Sequence, residues 1–150
     1  MKKSCFHWFR ACSVAFLALA VAGCKSSGGG DTALPPSGRP EVTLGDRATV
    51  NQVQAIAQAF FRERGYVECE SKHRYEFVFD KPIKGRRKAK ALRVRLRLNK
   101  QSDGSWHLAG TPLGVEGWRS DLESELVLPQ GSSQIQGFLV EIKNRVESAR

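Results

Sequence analysis

Few side chains in this sequence have the type and spacing that catalysis requires. Cys69 and His73 are four residues apart, and Cys69 with His107 could form a pair in which the imidazole activates the thiol as a nucleophile. A turn is predicted between Cys69 and His73, and no third ligand stands at a metal-binding spacing. The sequence has no phosphate-binding loop and no GxSxG or HExxH motif. We therefore expect no catalytic residue, metal or cofactor, and a thiol-dependent enzyme is the remote alternative.

Basic residues are concentrated between positions 81 and 100, which hold ten Lys and Arg and no acid, in a chain of formal charge +9. In ALRVRLRLNK, residues 91–100, arginines alternate with apolar residues, as in a strand with one cationic face. That face either binds an anionic polymer or lipid through guanidinium–phosphate hydrogen bonds, or it is solvated and paired with cross-strand acids such as Glu68 and Glu76. The candidate polyanion-binding residues are Arg86, Arg87, Lys88, Lys90, Arg93, Arg95 and Arg97.

Two further features lie between residues 111 and 131. Trp118 either covers the core, which is the favoured interpretation, or marks a surface for a partner protein, for which it is a weak candidate. Asp121, Glu123 and Glu125 alternate, which indicates a solvated edge rather than a general acid–base pair. Neither feature points to a reaction.

Two amphipathic helices are predicted to flank the region that holds these side chains. Apolar residues recur at helical spacing over about 47–64 and again over about 133–148. Hydroxyl side chains stand where each helix begins, and such residues accept hydrogen bonds from the first free N–H groups. The candidate N-caps are Thr49, which has capping-box spacing with Gln52, or the earlier Asp46 for the first helix, and Ser132 or Ser133 for the second.

Strand patterns fill the interval between the helices. Alternating segments predict strands at about 66–71, 74–80, 89–99 and 105–110, and residues 126–128 favour one more short strand. An Asp-Gly pair in the segment 100–105 predicts a tight hairpin turn. We expect an α+β fold in which an antiparallel meander of about four strands is covered on one face by two helices, in the order α-β-β-β-β-α.

The amino-terminal segment combines a basic start with a short apolar stretch. Residues 11–23 would form a helix of roughly 20 Å at ~1.5 Å per residue, which is shorter than the ~30 Å hydrocarbon core and typical of a secretory signal. The sequence VAGC, Val21 to Cys24, resembles the lipobox of bacterial lipoproteins. That resemblance implies cleavage before Cys24, a thioether-linked diacylglycerol on its sulfur, and often acylation of the new amino terminus.

These signals divide the chain into three regions. We expect a signal peptide at 1–23, the lipidated cysteine with a flexible Gly/Ser/Pro-rich linker at 24–40, and a single small α+β domain at 41–150. The two earlier cysteines leave with the signal. Cys69 is then the single free thiol of the mature chain, and we interpret it as a small buried hydrophobe.

The predicted function is a non-catalytic binding or assembly-support role in the bacterial cell envelope. Lys25, rather than aspartate, follows the lipobox, so the lipoprotein resemblance favours an outer-membrane location facing the periplasm. Alternatives are an adaptor that binds an envelope protein through an edge strand, and a binder of anionic envelope polymer or lipid. The element order is similar to that of double-stranded RNA-binding domains, but the second helix lacks their basic start. We therefore expect no nucleic-acid partner.

Overall fold

The computed structural model describes residues 32–84 and 90–149. Within them the chain forms six strands and two α-helices, and a short 3₁₀ turn, Pro129–Gly131, precedes the second helix. In chain order the elements are β1 Glu41–Leu44, α1 Val50–Glu63, β2 Val67–Cys69, β3 Glu76–Ile83, β4 Lys90–Lys100, β5 Trp106–Glu116, β6 Ser124–Val127 and α2 Ser132–Ser148.

The strands form one antiparallel sheet. Strands β2 to β6 follow each other as a meander, and β1 and β6 both pair with the side of β5 that faces away from β4. The predicted α+β class is confirmed, with two helices and an antiparallel sheet. The sheet is larger than the four expected strands because β1 and β6 are added to it. Strand β6 overlaps the additional short strand predicted at 126–128, whereas β1 was not predicted, because its four residues are too few for a clear alternating pattern.

Both helices pack on the same face of the sheet and form the main core with it. Phe61 of α1 stacks on Phe79 of β3, with ring centroids 4.4 Å apart, and meets Phe138 of α2 edge to face. Helix α2 lies close to β5 at Gly110, where an added Cβ would stand 2.6 Å from a methyl carbon of Ile135. The helices therefore cover the apolar face and leave the opposite face of the sheet to other contacts.

The predicted N-cap is confirmed for α1 and wrong for α2. Thr49 caps α1 as expected, since its hydroxyl oxygen accepts a hydrogen bond from the Gln52 N–H at 3.3 Å. The predicted serine cap of α2 is wrong, because the N-cap is Gly131 and Ser132 already lies inside the helix. The preceding 3₁₀ turn explains the difference: the Gly131 N–H donates to the Leu128 carbonyl, and the Ser132 N–H donates to that of Pro129.

The Asp-Gly turn and the region before β1 complete the fold. The hairpin between β4 and β5 closes at residues 101–105, where Gly104 has φ of +86°. The end of the predicted linker makes a turn in which the Gly38 N–H donates to the Pro35 carbonyl. In the two described ranges, no helix combines the length and hydropathy needed to cross a bilayer. Cys24 and the lipobox lie outside those ranges.

Candidate functional site

The face of the sheet opposite the helices carries charged residues on its central strands, and we call it the charged face. Side chains alternate along a strand, so the residues between the core positions of β3 and β4 all point to this side. The antiparallel register then sets each arginine of β4 beside a residue of β3. The cross-strand pairs are Glu76 with Arg97, Val78 with Arg95, and Asp80 with Arg93.

Arg93 and Asp80 form the innermost pair. Arg93 donates from Nε to Oδ1 and from Nη2 to Oδ2 of Asp80, each at 2.7 Å, and Trp118 Nε1 donates to Oδ2 at 2.8 Å. Asp80 is 0% exposed and the Arg93 side chain 11%. Burial alone would raise the pKa of Asp80, but the hydrogen bonds from Arg93, Cys69 and Trp118 outweigh it and hold that pKa below its ordinary value. The carboxylate therefore stays ionised inside the protein.

Two further carboxylates bind arginines of β4, Glu123 from the connection between β5 and β6 and Glu125 from β6. Arg93 Nη1 also donates to Glu123 and Glu125, and Arg95 Nη2 donates to both oxygens of Glu125 at 2.7 and 2.8 Å. Asp121, Glu123 and Glu125 are all exposed, as the expected solvated edge requires, but the ion pairs of Glu123 and Glu125 with the arginines of β4 were not expected. The connection between β5 and β6 folds back over the sheet, a long-range contact that local alternation does not reveal. The ion pairs of Glu123 and Glu125 therefore bind the β5–β6 hairpin to the charged face.

The outer end of the charged face is more open. Arg97 Nη2 donates to Glu76 Oε2 at 3.0 Å, and the Arg97 side chain is 59% exposed. Glu76 is thus the cross-strand acid that the alternation predicted. Glu68 is not, because it stands opposite Phe79 on the helix face and accepts hydrogen bonds from Gln58. The Arg95 Nε atom is buried without a hydrogen-bond partner.

The seven candidate polyanion-binding residues therefore fall into three groups. Arg86, Arg87 and Lys88 lie outside the described residues. Arg93 and Arg95 are bonded to carboxylates of the protein itself. Lys90 and Arg97 are the more exposed of the described candidates, and each is paired with one acid, Glu116 and Glu76 respectively. The polyanion interpretation stays a prediction, and its described part is reduced to Lys90, which lines the groove side of the sheet, and Arg97, which lies on the charged face.

Trp118 lies on the connection that covers the charged face. Its indole is half-buried and bonded to Asp80, and the Arg119 guanidinium stands 4.5 Å from its ring centroid. The chain turns sharply beside it, since Gly117 has φ of +66° and Arg119 has φ of +59°. A Cβ at Gly117 would stand 2.9 Å from the Leu122 carbonyl oxygen. Trp118 thus anchors the connection to the sheet, and its predicted role in partner binding stays a weak prediction.

The residues considered for catalysis are not assembled into a site. Cys69 is half-buried, and its burial, together with the neighbouring Asp80 carboxylate, raises the pKa of its thiol to about 11, which leaves it protonated at neutral pH. Strands β3 and β4 separate Cys69 on β2 from His107 on β5 by roughly 14 Å across the sheet at ~4.8 Å per strand, and His107 is also displaced along β5 from Thr111, the residue level with Cys69. His73 is exposed in the turn after β2. Among the described residues no cluster of three or more His, Cys, Asp or Glu could hold a metal.

An exposed apolar region at β6 was not identified from the sequence. Leu92, Gly114 and Leu126 are opposite one another on β4, β5 and β6, and with Ile83 and Leu128 they line an open groove of about 540 Å³. Neither helix covers this end of the sheet, and Leu126 is 69% exposed. The only sequence signal was the apolar run at 126–128, which predicted a strand but not its exposure. Comparison of the chain with protein-family models and with curated proteins gives no match.

Proposed function

We propose that the chain is a lipid-anchored protein of the bacterial cell envelope whose domain is a non-catalytic binding or assembly-support module. The observation that carries this proposal is the contrast between β4 and β6. The inner arginines of β4 are occupied by the protein's own carboxylates, whereas all four residues of β6 are exposed beside an apolar groove. Such a surface suits contact with another protein.

The anchor is supported by the sequence Val21 to Cys24. Each buried CH₂ of an acyl chain contributes ~0.8 kcal/mol, so two or three chains hold the protein on a membrane without help from basic residues. The linker of roughly 16 residues spans up to about 50 Å at ~3.3 Å per residue. The domain can therefore stand away from the bilayer and present β6 to a protein partner.

The non-catalytic character is supported by the chemistry of the described side chains. The single thiol has a raised pKa, and the histidines stand apart from it. Asp80 and Glu125, two carboxylates whose pKa values are lowered, are bonded to arginines, which is typical of structural ion pairs. These groups stabilise the hairpin that carries β6.

A second candidate function is the binding of an anionic envelope polymer or lipid. It is supported by the exposure of Lys90 and Arg97 and by the three basic residues at 86–88. Lys90→Gln with Arg97→Gln removes two cations without touching Arg93. If this function operates, salt-dependent binding to anionic vesicles falls in that variant; unchanged binding contradicts it.

The main proposal is tested in intact envelopes with the full-length protein. A photo-crosslinking amino acid at position 126 should give a discrete protein adduct, whereas the same probe at Asn144, an exposed position of α2, should not. Adducts from both positions, or from neither, contradict a contact surface at β6. The anchor is tested separately with Cys24→Ala, which should abolish acylation and release the protein from the membrane fraction. Complete membrane retention of that variant contradicts the lipobox interpretation.

A further inference from the structure

The outer edge of β6 has main-chain groups free to pair with another strand. The Leu128 N–H donates to the Pro112 carbonyl at 3.0 Å, so these residues occupy a hydrogen-bonded position of the antiparallel ladder, in which Pro112 has no N–H to donate in return. Hydrogen-bonded and non-hydrogen-bonded pairs alternate, so Leu126 and Ser124 bond to β5. Glu125 and Val127 therefore direct their N–H and C=O groups outward, where the described residues provide no further strand.

These outward groups are arranged symmetrically about Leu126. If β6 pairs antiparallel with an identical strand, and Leu126 stands opposite the same residue of the second copy, Glu125 faces Val127 of that copy. Both residues of such a pair point outward, so each pair exchanges two hydrogen bonds. A shift of one residue would set an outward residue against one already bonded to β5. The edge is thus self-complementary in register.

The side chains support the same arrangement. Leu92, Gly114 and Leu126 form one row across three strands on the groove side. In the symmetric pairing the two copies of Leu126 form a non-hydrogen-bonded pair, in which side chains approach most closely. The row then continues as an unbroken apolar stripe into the second copy, which covers part of the exposed leucine.

Charge does not oppose this contact. Glu125 is the one ionisable residue of β6, and its carboxylate is bonded to Arg93 and Arg95 on the charged face. The opposite edge of the sheet differs, because β3 extends past β2 with Lys81 and Pro82, and a proline has no N–H for a new strand. Strand β6 has neither a lysine nor a proline to prevent pairing at its edge, and only its short length disfavours it.

We propose that β6 pairs antiparallel with β6 of a second copy of this chain, centred on Leu126, to form a symmetric dimer with a continuous sheet. This inference rests on the proposed function and names its protein partner. Four-residue strands bury little surface, so the pairing is weak between molecules free in solution. Anchoring two copies in one membrane raises their effective concentration and compensates for the small area.

The symmetric register can be tested with a disulfide. Directly opposed cysteines in a non-hydrogen-bonded pair have the Cα separation that a disulfide accepts, ~4.5 Å. In the full-length acylated protein carrying Cys69→Ser, Leu126→Cys should therefore form a covalent dimer under mild oxidation in native membranes. Peptide mapping should place the bond between the two substituted positions. The matched control is Ser124→Cys on the same strand, whose two copies would be roughly 14 Å apart.

The outcomes distinguish this inference from the proposed function. A dimer from position 126 but not from 124 supports the symmetric pairing. No dimer from 126, or equal dimers from both positions, overturns it. If the photo-crosslinker at position 126 then joins a different protein, the binding function stands and the second copy is not the partner. If it joins nothing, both the inference and the proposed contact surface fail.

Discussion

The two faces of the sheet achieve burial by different means. The helix face is covered by apolar side chains of α1 and α2, and its contacts include the stacked rings of Phe61 and Phe79. The charged face is covered by the hairpin connection, and Arg93 binds three carboxylates there, those of Asp80 on β3, Glu123 on the connection and Glu125 on β6. Hydrophobic burial tolerates approximate geometry, whereas a buried ion pair requires both partners. This difference indicates that the arginines of β4 serve mainly to hold β6 and the connection before it against the sheet. We call Arg93 and its partners Asp80, Glu123 and Glu125, with Trp118, the clamp.

The largest expected effect is on the helix face. Phe61→Ala removes a fully buried ring that contacts four other aromatic side chains, and it should lower the free energy of unfolding by about 3–5 kcal/mol. Val67→Ala, at an exposed position of β2, should change it by less than about 0.5 kcal/mol. Urea denaturation monitored by circular dichroism measures both. Similar losses for the two variants would contradict the assigned core.

Removal of Arg93 should have the next largest effect. Arg93→Met leaves the Asp80 carboxylate buried and without its principal partner, and the free energy of unfolding should fall by about 3 kcal/mol. Arg97→Met is the matched control on the same strand, since Arg97 is largely exposed, and it should cost less than about 1 kcal/mol. Equal losses of unfolding free energy in the two variants would show that Arg93 contributes no more to stability than Arg97 does.

Acid should release β6 from the sheet before the central strand β4 opens. The pKa values of Asp80 and Glu125 lie below their ordinary values of 3.8 and 4.5, because arginine hydrogen bonds outweigh burial. Their stabilisation is complete above those ordinary values and is lost as the pH falls through the lower pKa values of the folded protein. Hydrogen exchange should therefore show β6 losing protection below about pH 4 while β4 stays protected. Simultaneous loss in both strands would contradict this order.

The Trp118 anchor should make a smaller contribution. Trp118→Phe keeps an aromatic ring over the sheet but removes the N–H that donates to Asp80, and it should cost about 1.5 kcal/mol. Trp106→Phe is a control, since Trp106 lies at the far end of β5, away from Asp80. The midpoint of thermal unfolding compares the two variants. A larger fall in the unfolding midpoint for Trp106→Phe than for Trp118→Phe would contradict a role of the Trp118 N–H in the clamp.

The helix face could largely be predicted from the sequence, and the charged face could not. Periodicity identifies Phe61 and the other core positions because a local pattern decides which side of an element is apolar. The partners of Arg93 come from a different strand and from a connection 30 residues later in the chain. Alternation predicted that the arginines share a face, but it could not predict that residues 117–123 fold over it.

Long-range pairing also accounts for the features of the sheet edge that were not predicted. Strand β1 joins β5 through a pairing that spans more than 60 residues, and four residues give no periodic signal of their own. The edge of β6 depends on which of its residues bond inward, and this is set by register with β5 rather than by composition. Exposure of Leu126 is therefore a tertiary property.

The role of Arg93 is tested most directly by a double-mutant cycle with Asp80. Arg93→Met, Asp80→Leu and the double variant should be compared with the original protein by denaturant unfolding. If the pair is a structural clamp, the double variant recovers much of the stability lost by Arg93→Met, with a coupling free energy of about 2–3 kcal/mol. Additive losses, with coupling below about 0.5 kcal/mol, would contradict the clamp and return Arg93 to the candidates for binding an external anion.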